Sequence, residues 1–352
     1  MPTMDWFETL TGFRETDYAT TRSKLQVESD QLLSTVNGLR YGIGSLELVS
    51  LQTLRQRLQT AGSVTGRLQV RVVRGDVRRL HQQPQYAGAL FQVASQFNLL
   101  EMTGPDISPA HGVTRYENDA TQGPACAIAA GAATIWRNYF APVAGGDSVA
   151  GTVGQTRTHQ LDGLADLGKV LGQALGRPVG DLWEMRNGYA LCRQSGLQAI
   201  AAYLTSAAPE TIETLAGHLR IGIHSDVEVT DRQDGTQSRG EAAPQVSQAF
   251  CSALPVAYSQ VPQADWRCFA ALVLQAAYEA TLWAGVLNCQ RGRSNIVLLT
   301  RLGGGAFGNA DEWIHTAMRR ALQKAAGYAL DVRLVSYDTP SRQLQELVRE
   351  FA

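Results

Sequence analysis

Short runs in which apolar and polar positions alternate, separated by stretches with apolar residues at helical spacing, give the first picture of this chain. Leu68-Gln69-Val70-Arg71-Val72-Val73 reads as a strand, as do Ala89 to Val93, Leu219 to His224, Val246 to Ala253, Asn295 to Thr300 and Leu330 to Ser336. Between them lie helical stretches: Arg78 to His81, the alanine-rich Gly123 to Tyr139, an inserted-looking stretch from about Leu161 to Ser206, and Trp266 to Asn288 with Phe269, Val273, Ala276 and Ala280 at helical intervals. The last is Ala310 to about Tyr328, with Ile314, Met318, Leu322 and Ala325 as its buried stripe. Apolar strands separated by helices predict crossover units, and so an α/β fold on a mixed, mostly parallel sheet.

The first residues follow a different pattern. A short helix from Asp5 to Leu10 precedes two strand-like runs joined by Asn37-Gly38, which fits a two-residue hairpin turn because both central positions need positive φ. A helix from about Ser50 to Thr60 presents Leu51, Leu54 and Leu58 on one face. The expected organisation is an α/β extension over residues 1–62, packed on a domain spanning 63–352 that carries an insertion at about 141–215. Residues 141–161 are dominated by Gly, Ala, Ser and Thr and read as a loop or flap. Asn309 is placed to N-cap the last long helix, with Glu312 as its capping-box partner.

Composition narrows the class of partner. With 352 residues, 44% hydrophobic and 18% charged, the chain is globular, and its length allows one decorated domain or two. A net charge of -1 gives no general footprint for nucleic acid or an anionic membrane, although a local basic pocket for one or two phosphates is still allowed. The start MPTMDWFETL lacks a basic stretch followed by an apolar one, and no run approaches the roughly 18 apolar residues of a membrane span, so cytoplasm is the expected compartment. Cys126, Cys192, Cys251, Cys268 and Cys289 lie far apart with no CxxC pair and read as reduced thiols. The six histidines are scattered without metal-ligand spacing, so neither a metal nor a cofactor is expected.

Four segments could carry chemistry. Gly303-Gly304-Gly305-Ala306-Phe307-Gly308-Asn309 lies between a strand and a helix; glycines without Cβ let backbone N–H groups approach anionic oxygens, and a helix N-terminus adds partial positive charge. It is neither GxxxxGK[ST] nor a GxGxxG at a first βα turn, which weakens nucleotide-hydrolase and Rossmann readings. Gly75-Asp76-Val77 ends a strand, where Asp76 either accepts from an exocyclic amine or caps the next helical stretch. In Phe91 to Asn98 a strand runs into polar side chains, and Ser95, Gln96 and Asn98 either bond ribose hydroxyls or satisfy local backbone groups. Asp119 to Gly131 is a polar loop entering a small-residue helix; Cys126 in its first turn is either a thiol of lowered pKa or a buried small hydrophobe.

In that order the segments resemble the macrodomain family of ADP-ribose-binding modules, over roughly residues 68–350. The resemblance implies a three-layer macrodomain-like fold with helices on both faces of the sheet, and ADP-ribose or an ADP-ribosylated substrate as ligand. Position by position, Asp76 with Val77 resembles the adenine-binding GD(I/V) motif, and Asn98 the amide that faces the distal ribose, with Gln96 beside it. Gly123, Ala125 and Cys126 resemble one phosphate loop, and Gly303, Gly304, Gly305, Ala306, Phe307, Gly308 and Asn309 the second, with Phe307 near the distal ribose; Tyr337 is a candidate to stack on adenine. The chain departs from the hydrolase subgroups: no Asp stands in Pro124-Ala125-Cys126, and no pair of glutamates follows Gly303-Gly304-Gly305. Asn98, Glu101 and Asp119 are the candidate catalytic residues, the two carboxyls as groups that could orient a water for attack at the anomeric carbon.

The leading expectation is therefore an ADP-ribose-binding protein that hydrolyses an ADP-ribosyl bond, and the alternative is a non-catalytic reader of ADP-ribose or a related nucleotide. An NAD-type oxidoreductase fits less well, because the glycine loop lies late in the chain and no acidic residue closes the next strand about 20 residues on.

Overall fold

The structure, a computed structural model, describes residues 4–60, 64–143, 154–231 and 243–351. The chain opens with α1 (Trp6–Thr11), N-capped by Asp5, and α2 (Tyr18–Ser23), N-capped by Asp17. A three-stranded antiparallel sheet follows: β1 (Leu25–Glu28), β2 (Gln31–Ser34) and β3 (Arg40–Gly42). The β2–β3 hairpin is present, but its loop runs from Thr35 to Leu39 and only Gly38 (φ +72°) takes a positive φ. Asn37 instead sends its amide to the Leu10 carbonyl at 2.9 Å, tying the loop to α1.

The chain continues through β4 (Ser45–Ser50), α3 (Leu51–Thr60), β5 (Gln69–Arg74), α4 (Val77–His81), β6 (Leu90–Ala94), α5 (Gln122–Ala129) and α6 (Gly131–Tyr139). The alanine-rich stretch is thus two helices, broken at Ala130 (φ −114°, ψ 57°) where the Gly131 amide turns to Thr230 Oγ1 at 2.8 Å. Next come α7 (Ala165–Leu175), α8 (Val179–Leu182), the hairpin β7 (Trp183–Arg186) and β8 (Tyr189–Cys192), α9 (Gln194–Ser206) and α10 (Pro209–Gly217). The expected helical stretch from Leu161 to Ser206 therefore contains a two-stranded sheet. Residues 141–143 and 154–161 form no helix or strand, and the rest of the expected flap lies outside the described residues.

The chain ends with β9 (Arg220–Glu228), β10 (Gln245–Cys251), α11 (Gln263–Gln290), β11 (Ile296–Leu299), α12 (Asp311–Lys324), β12 (Asp331–Ser336) and α13 (Arg342–Glu350). The N-cap of α12 is Ala310, without a side-chain bond, because Asn309 spends its amide on the carbonyls of Leu254 (2.8 Å) and Gly303 (3.3 Å). Glu312 pairs with Arg267 at 3.6 Å rather than closing a capping box.

Among the described residues seven strands form one sheet in the order β4-β9-β10-β6-β11-β12-β5. From β10 to β5 every neighbour is parallel, while β9 runs antiparallel to β10 and β4 antiparallel to β9. Strand alternation sends Phe91, Val93, Phe250 and Leu298 to a core with residues of α4, α5 and α6. Leu90, Ala249, Cys251, Val297 and Leu299 point to the opposite core, against α11 and α12. The fold is α/β, a mixed and mostly parallel sheet with helices on both faces. Helix α11 is long and apolar enough to cross a membrane, yet 83% of its apolar window is buried, where it packs against α3, α9, α10 and α12.

Candidate active site

Strands β10, β6 and β11 are neighbours running in one direction, so their carboxyl ends lie side by side. Ligands of open α/β sheets bind outside such ends. The loops that leave them, together with the start of α5 and the β7–β8 hairpin, line a cleft of about 700 Å³ counting its open mouth.

The start of α5 is clamped to β6. Gln122 Oε1 accepts from the Ala94 N–H at 2.8 Å and Nε2 donates to the Gln92 carbonyl at 2.8 Å, so the side chain pairs like an extra strand residue. Gly123 then passes so close that a Cβ would lie 2.0 Å from the Ala94 carbonyl oxygen and 2.4 Å from Glu101 Oε2. Pro124 has no N–H, and the amides of Gln122 and Gly123 make no hydrogen bond among the described residues, so the positive end of α5 opens into the cleft.

Glu101 sits beside that helix end with its carboxyl buried, and Oε1 has no partner among the described residues. Its backbone N–H donates to Tyr116 Oη at 3.0 Å. Burial pushes the carboxyl well above the usual range, the Arg137 charge opposes that shift and the nearby Asp119 adds to it. That shift favours the protonated form of the Glu101 carboxyl. Asp119 lines the cleft too, its Oδ1 accepting from the Thr121 N–H at 2.9 Å.

The glycine loop forms the facing wall. Gly303 (φ +73°) and Gly308 (φ +70°) occupy left-handed conformations that L side chains rarely adopt. The loop is closed by Gly304 N–H to Arg301 O, Gly308 N–H to Gly305 O and Asn309 N–H to Gly303 O. The amides of Gly303, Gly305, Ala306 and Phe307 make no hydrogen bond among the described residues. Arg301 is the cation of the lining, its Nη2 held 2.6 Å from Asp311 Oδ1. Three aromatic rings close one end: Tyr189 from β8, Tyr258 after β10 and Phe307, with centroids 5.1 to 5.6 Å apart.

Of the residues expected from sequence, Gln96, Glu101, Asp119, Gly123, Gly303, Gly305, Ala306 and Phe307 come together in this lining. Gly304, Gly308 and Asn309 shape the loop from behind. Ala125 and Cys126 continue α5 away from the cleft; burial raises the Cys126 thiol, so it behaves as a small hydrophobe. Asn98 is buried outside the lining, with Nδ2 donating to Gln160 Oε1 at 2.9 Å and Oδ1 accepting from the Leu100 N–H at 3.1 Å. Asp76 caps α4 by accepting from the Arg78 N–H at 2.9 Å, and Val77 is buried beneath it. Tyr337 is 74% exposed and is not part of the cleft lining. Arg301, Gln122, Tyr189 and Tyr258 were not singled out by sequence; Arg301 stood beside the glycine run, but nothing in the local pattern marks the two tyrosines.

No protein-family model matches the chain, and no curated protein matches it. Among solved structures it is similar to poly(ADP-ribose) glycohydrolase from Deinococcus radiodurans in complex with ADP-ribose, at 11% identity over 96% of this chain and 97% of that one, with a TM-score of 0.44. The same enzyme from Thermomonospora curvata gives 12% identity, 95% and 97% coverage and a TM-score of 0.45. Its complex with the inhibitor ADP-HPD gives 12%, 95%, 98% and 0.44.

Proposed function

We propose that the cleft binds ADP-ribose or an ADP-ribosylated ligand and hydrolyses an ADP-ribosyl bond. The observation that carries the reading is the pairing of two sets of free backbone amides, those of Gly303, Gly305, Ala306 and Phe307 and those at the start of α5, in one cleft with the buried acid Glu101. Such amides suit a diphosphate, with Arg301 as the nearby countercharge. The carboxyl ends of β12 and β5 continue the same edge of the sheet beyond the glycine loop, with the Gly75 N–H bonded to the Ser336 carbonyl at 3.0 Å. Asp76 and Tyr337 follow those ends, which is where the adenosine half of the ligand would extend.

In this reading the protonated Glu101 gives its proton to the leaving oxygen as the bond to the anomeric carbon breaks, and its carboxylate then takes a proton from the attacking water. Calorimetry with ADP-ribose and turnover of ADP-ribosylated substrates test it together. Glu101→Gln is expected to keep ADP-ribose affinity within about threefold while turnover falls about a hundredfold to ten-thousandfold. Binding without turnover by the wild type would leave the non-catalytic reader as the function, and absence of ADP-ribose binding would overturn both.

A further inference from the structure

Arg137, on α6, is completely buried beneath the loop that carries Glu101. Its Nε donates to the Leu99 carbonyl at 2.7 Å, Nη2 to Thr134 Oγ1 at 3.2 Å and Nη1 to His224 Nδ1 at 3.3 Å, and the guanidinium lies 3.9 Å from the centroid of Phe250. A guanidinium can only donate, so the His224 nitrogen facing it accepts and the imidazole is neutral there. None of these partners is a carboxylate. Glu101 and Tyr116 are the acidic groups whose charge favours the charged form of Arg137.

Leu99 is the contact that matters for the cleft. At φ +63° it occupies the left-handed region, which is disfavoured for a residue with a Cβ. The turn is closed by Leu99 N–H to Gln96 O and Gln96 N–H to Leu100 O, both 3.0 Å. The Leu99 side chain fills the space that a Cβ on Gly222 would need, 2.4 Å from Cδ1. Two residues further on, Glu101 enters the cleft. Among the described residues, Asp119 and Tyr116 from the segment before α5, Cys126 from α5 and Tyr189 from β8 also interact with Glu101, and Arg301 is the cation of the same cleft lining.

We propose that Arg137 is a positioning residue for Glu101: its guanidinium holds the left-handed turn that presents the carboxyl to the cleft, and its charge stabilises the carboxylate left when Glu101 gives up its proton. The catalytic part rests on the reading of Glu101 as proton donor. In that step the Glu101 O–H bond breaks, the proton passes to the leaving oxygen, and the bonding pair between that oxygen and the anomeric carbon goes to the oxygen. Water adds to the carbon and returns a proton to Glu101. Throughout the interval the buried cation has a buried anion as its counterpart.

The test measures the Glu101 carboxyl directly, by its carbon-13 resonance across pH in the unliganded protein, assigned by its loss in Glu101→Gln, beside the pH profile of kcat/KM. Removing a nearby cation raises a carboxyl pKa, so Arg137→Met is expected to move the Glu101 midpoint up by about one pH unit or more. The high-pH fall of kcat/KM moves with it, kcat drops about tenfold, and ADP-ribose affinity stays within about threefold. Arg137→Lys keeps the midpoint but loses part of kcat, because the Nε–H bond to the Leu99 carbonyl is gone. An unmoved midpoint in folded Arg137→Met overturns the proposal whatever the activity. If Arg137→Met does not fold, Arg137→Lys decides: lowered kcat at an unchanged midpoint supports the proposal and unchanged kcat overturns it. A midpoint that moves in a protein whose wild type neither binds nor turns over ADP-ribosyl substrates leaves the positioning intact and removes the proposed activity.

Discussion

A Cβ at position 123 would meet the Ala94 carbonyl oxygen, and a backbone carbonyl at the end of a sheet strand cannot yield as a side chain can. Gly123→Ala is therefore expected to cost about 1–3 kcal/mol and to displace Glu101, seen as a lower denaturant midpoint and weaker ADP-ribose binding. Gly305→Ala is the contrasting case: no atom lies within 4 Å of its would-be Cβ and its φ is ordinary. It should leave stability within about 0.5 kcal/mol while its methyl, standing over the free amides, weakens ADP-ribose in the same calorimetry. Sequence distinguishes poorly between two such glycines. Gly305 advertises itself by three consecutive glycines, whereas Gly123 reads as an ordinary helix start, since its need for a missing Cβ comes from Ala94 and Glu101 on another segment.

Among the elements, the Asn-Gly rule found a hairpin at one of its two occurrences in the form expected, and it was the occurrence not used. Asn187 (φ +47°) and Gly188 (φ +80°) form the two-residue turn of β7–β8, while Asn37-Gly38 lies in a longer loop. The sequence around it, Trp183 to Cys192, has no clean alternation, and the helices on either side made the stretch look helical. That hairpin delivers Tyr189 to the cleft, so the aromatic end of the site was as hidden as the element itself. The strands with apolar alternation, β5, β6 and β9 to β12, were legible because both faces of the sheet are covered. Asn98 now has an element-level role: its amide holds Gln160, whose Nε2 holds Asn187 Oδ1 at 2.9 Å, while Asn187 Nδ2 reaches the Pro105 carbonyl at 2.7 Å. Asn98→Ala should cost about 1–3 kcal/mol, speed amide exchange across residues 183–192, and raise KM more than it lowers kcat. A selective loss of kcat with unchanged exchange would instead return Asn98 to the chemistry.

For the molecule as a whole, buried titratable groups set the acid limit of stability. Burial pulls His81 down to about 4 and His224 well below 6.5, so the unfolded chain binds more protons than the folded one from about pH 6.5 down to about pH 4. Stability is present above pH 6.5 and is lost as pH falls through that window, by about 1.4 kcal/mol per pH unit for each histidine. Glu101 acts with the opposite sign: its raised carboxyl costs stability as pH rises above about 4.5 and so offsets one of the two histidines. Denaturant midpoints should therefore fall from pH 6.5 to 4, with a shallower slope in His81→Gln and a steeper one in Glu101→Gln. The sheet order carries a further consequence. Strand β6 ends at Ala94, but the two strands that flank it end at Cys251 and Leu299, so the facing wall of the cleft does not exist until those distant segments pair. On the ribosome the cleft is then among the last features to be completed, and the amino-terminal half of a nascent chain holds Glu101 and the start of α5 with no facing wall. Ligand capture during synthesis would report arrival of the final strands, not collapse of the first ones.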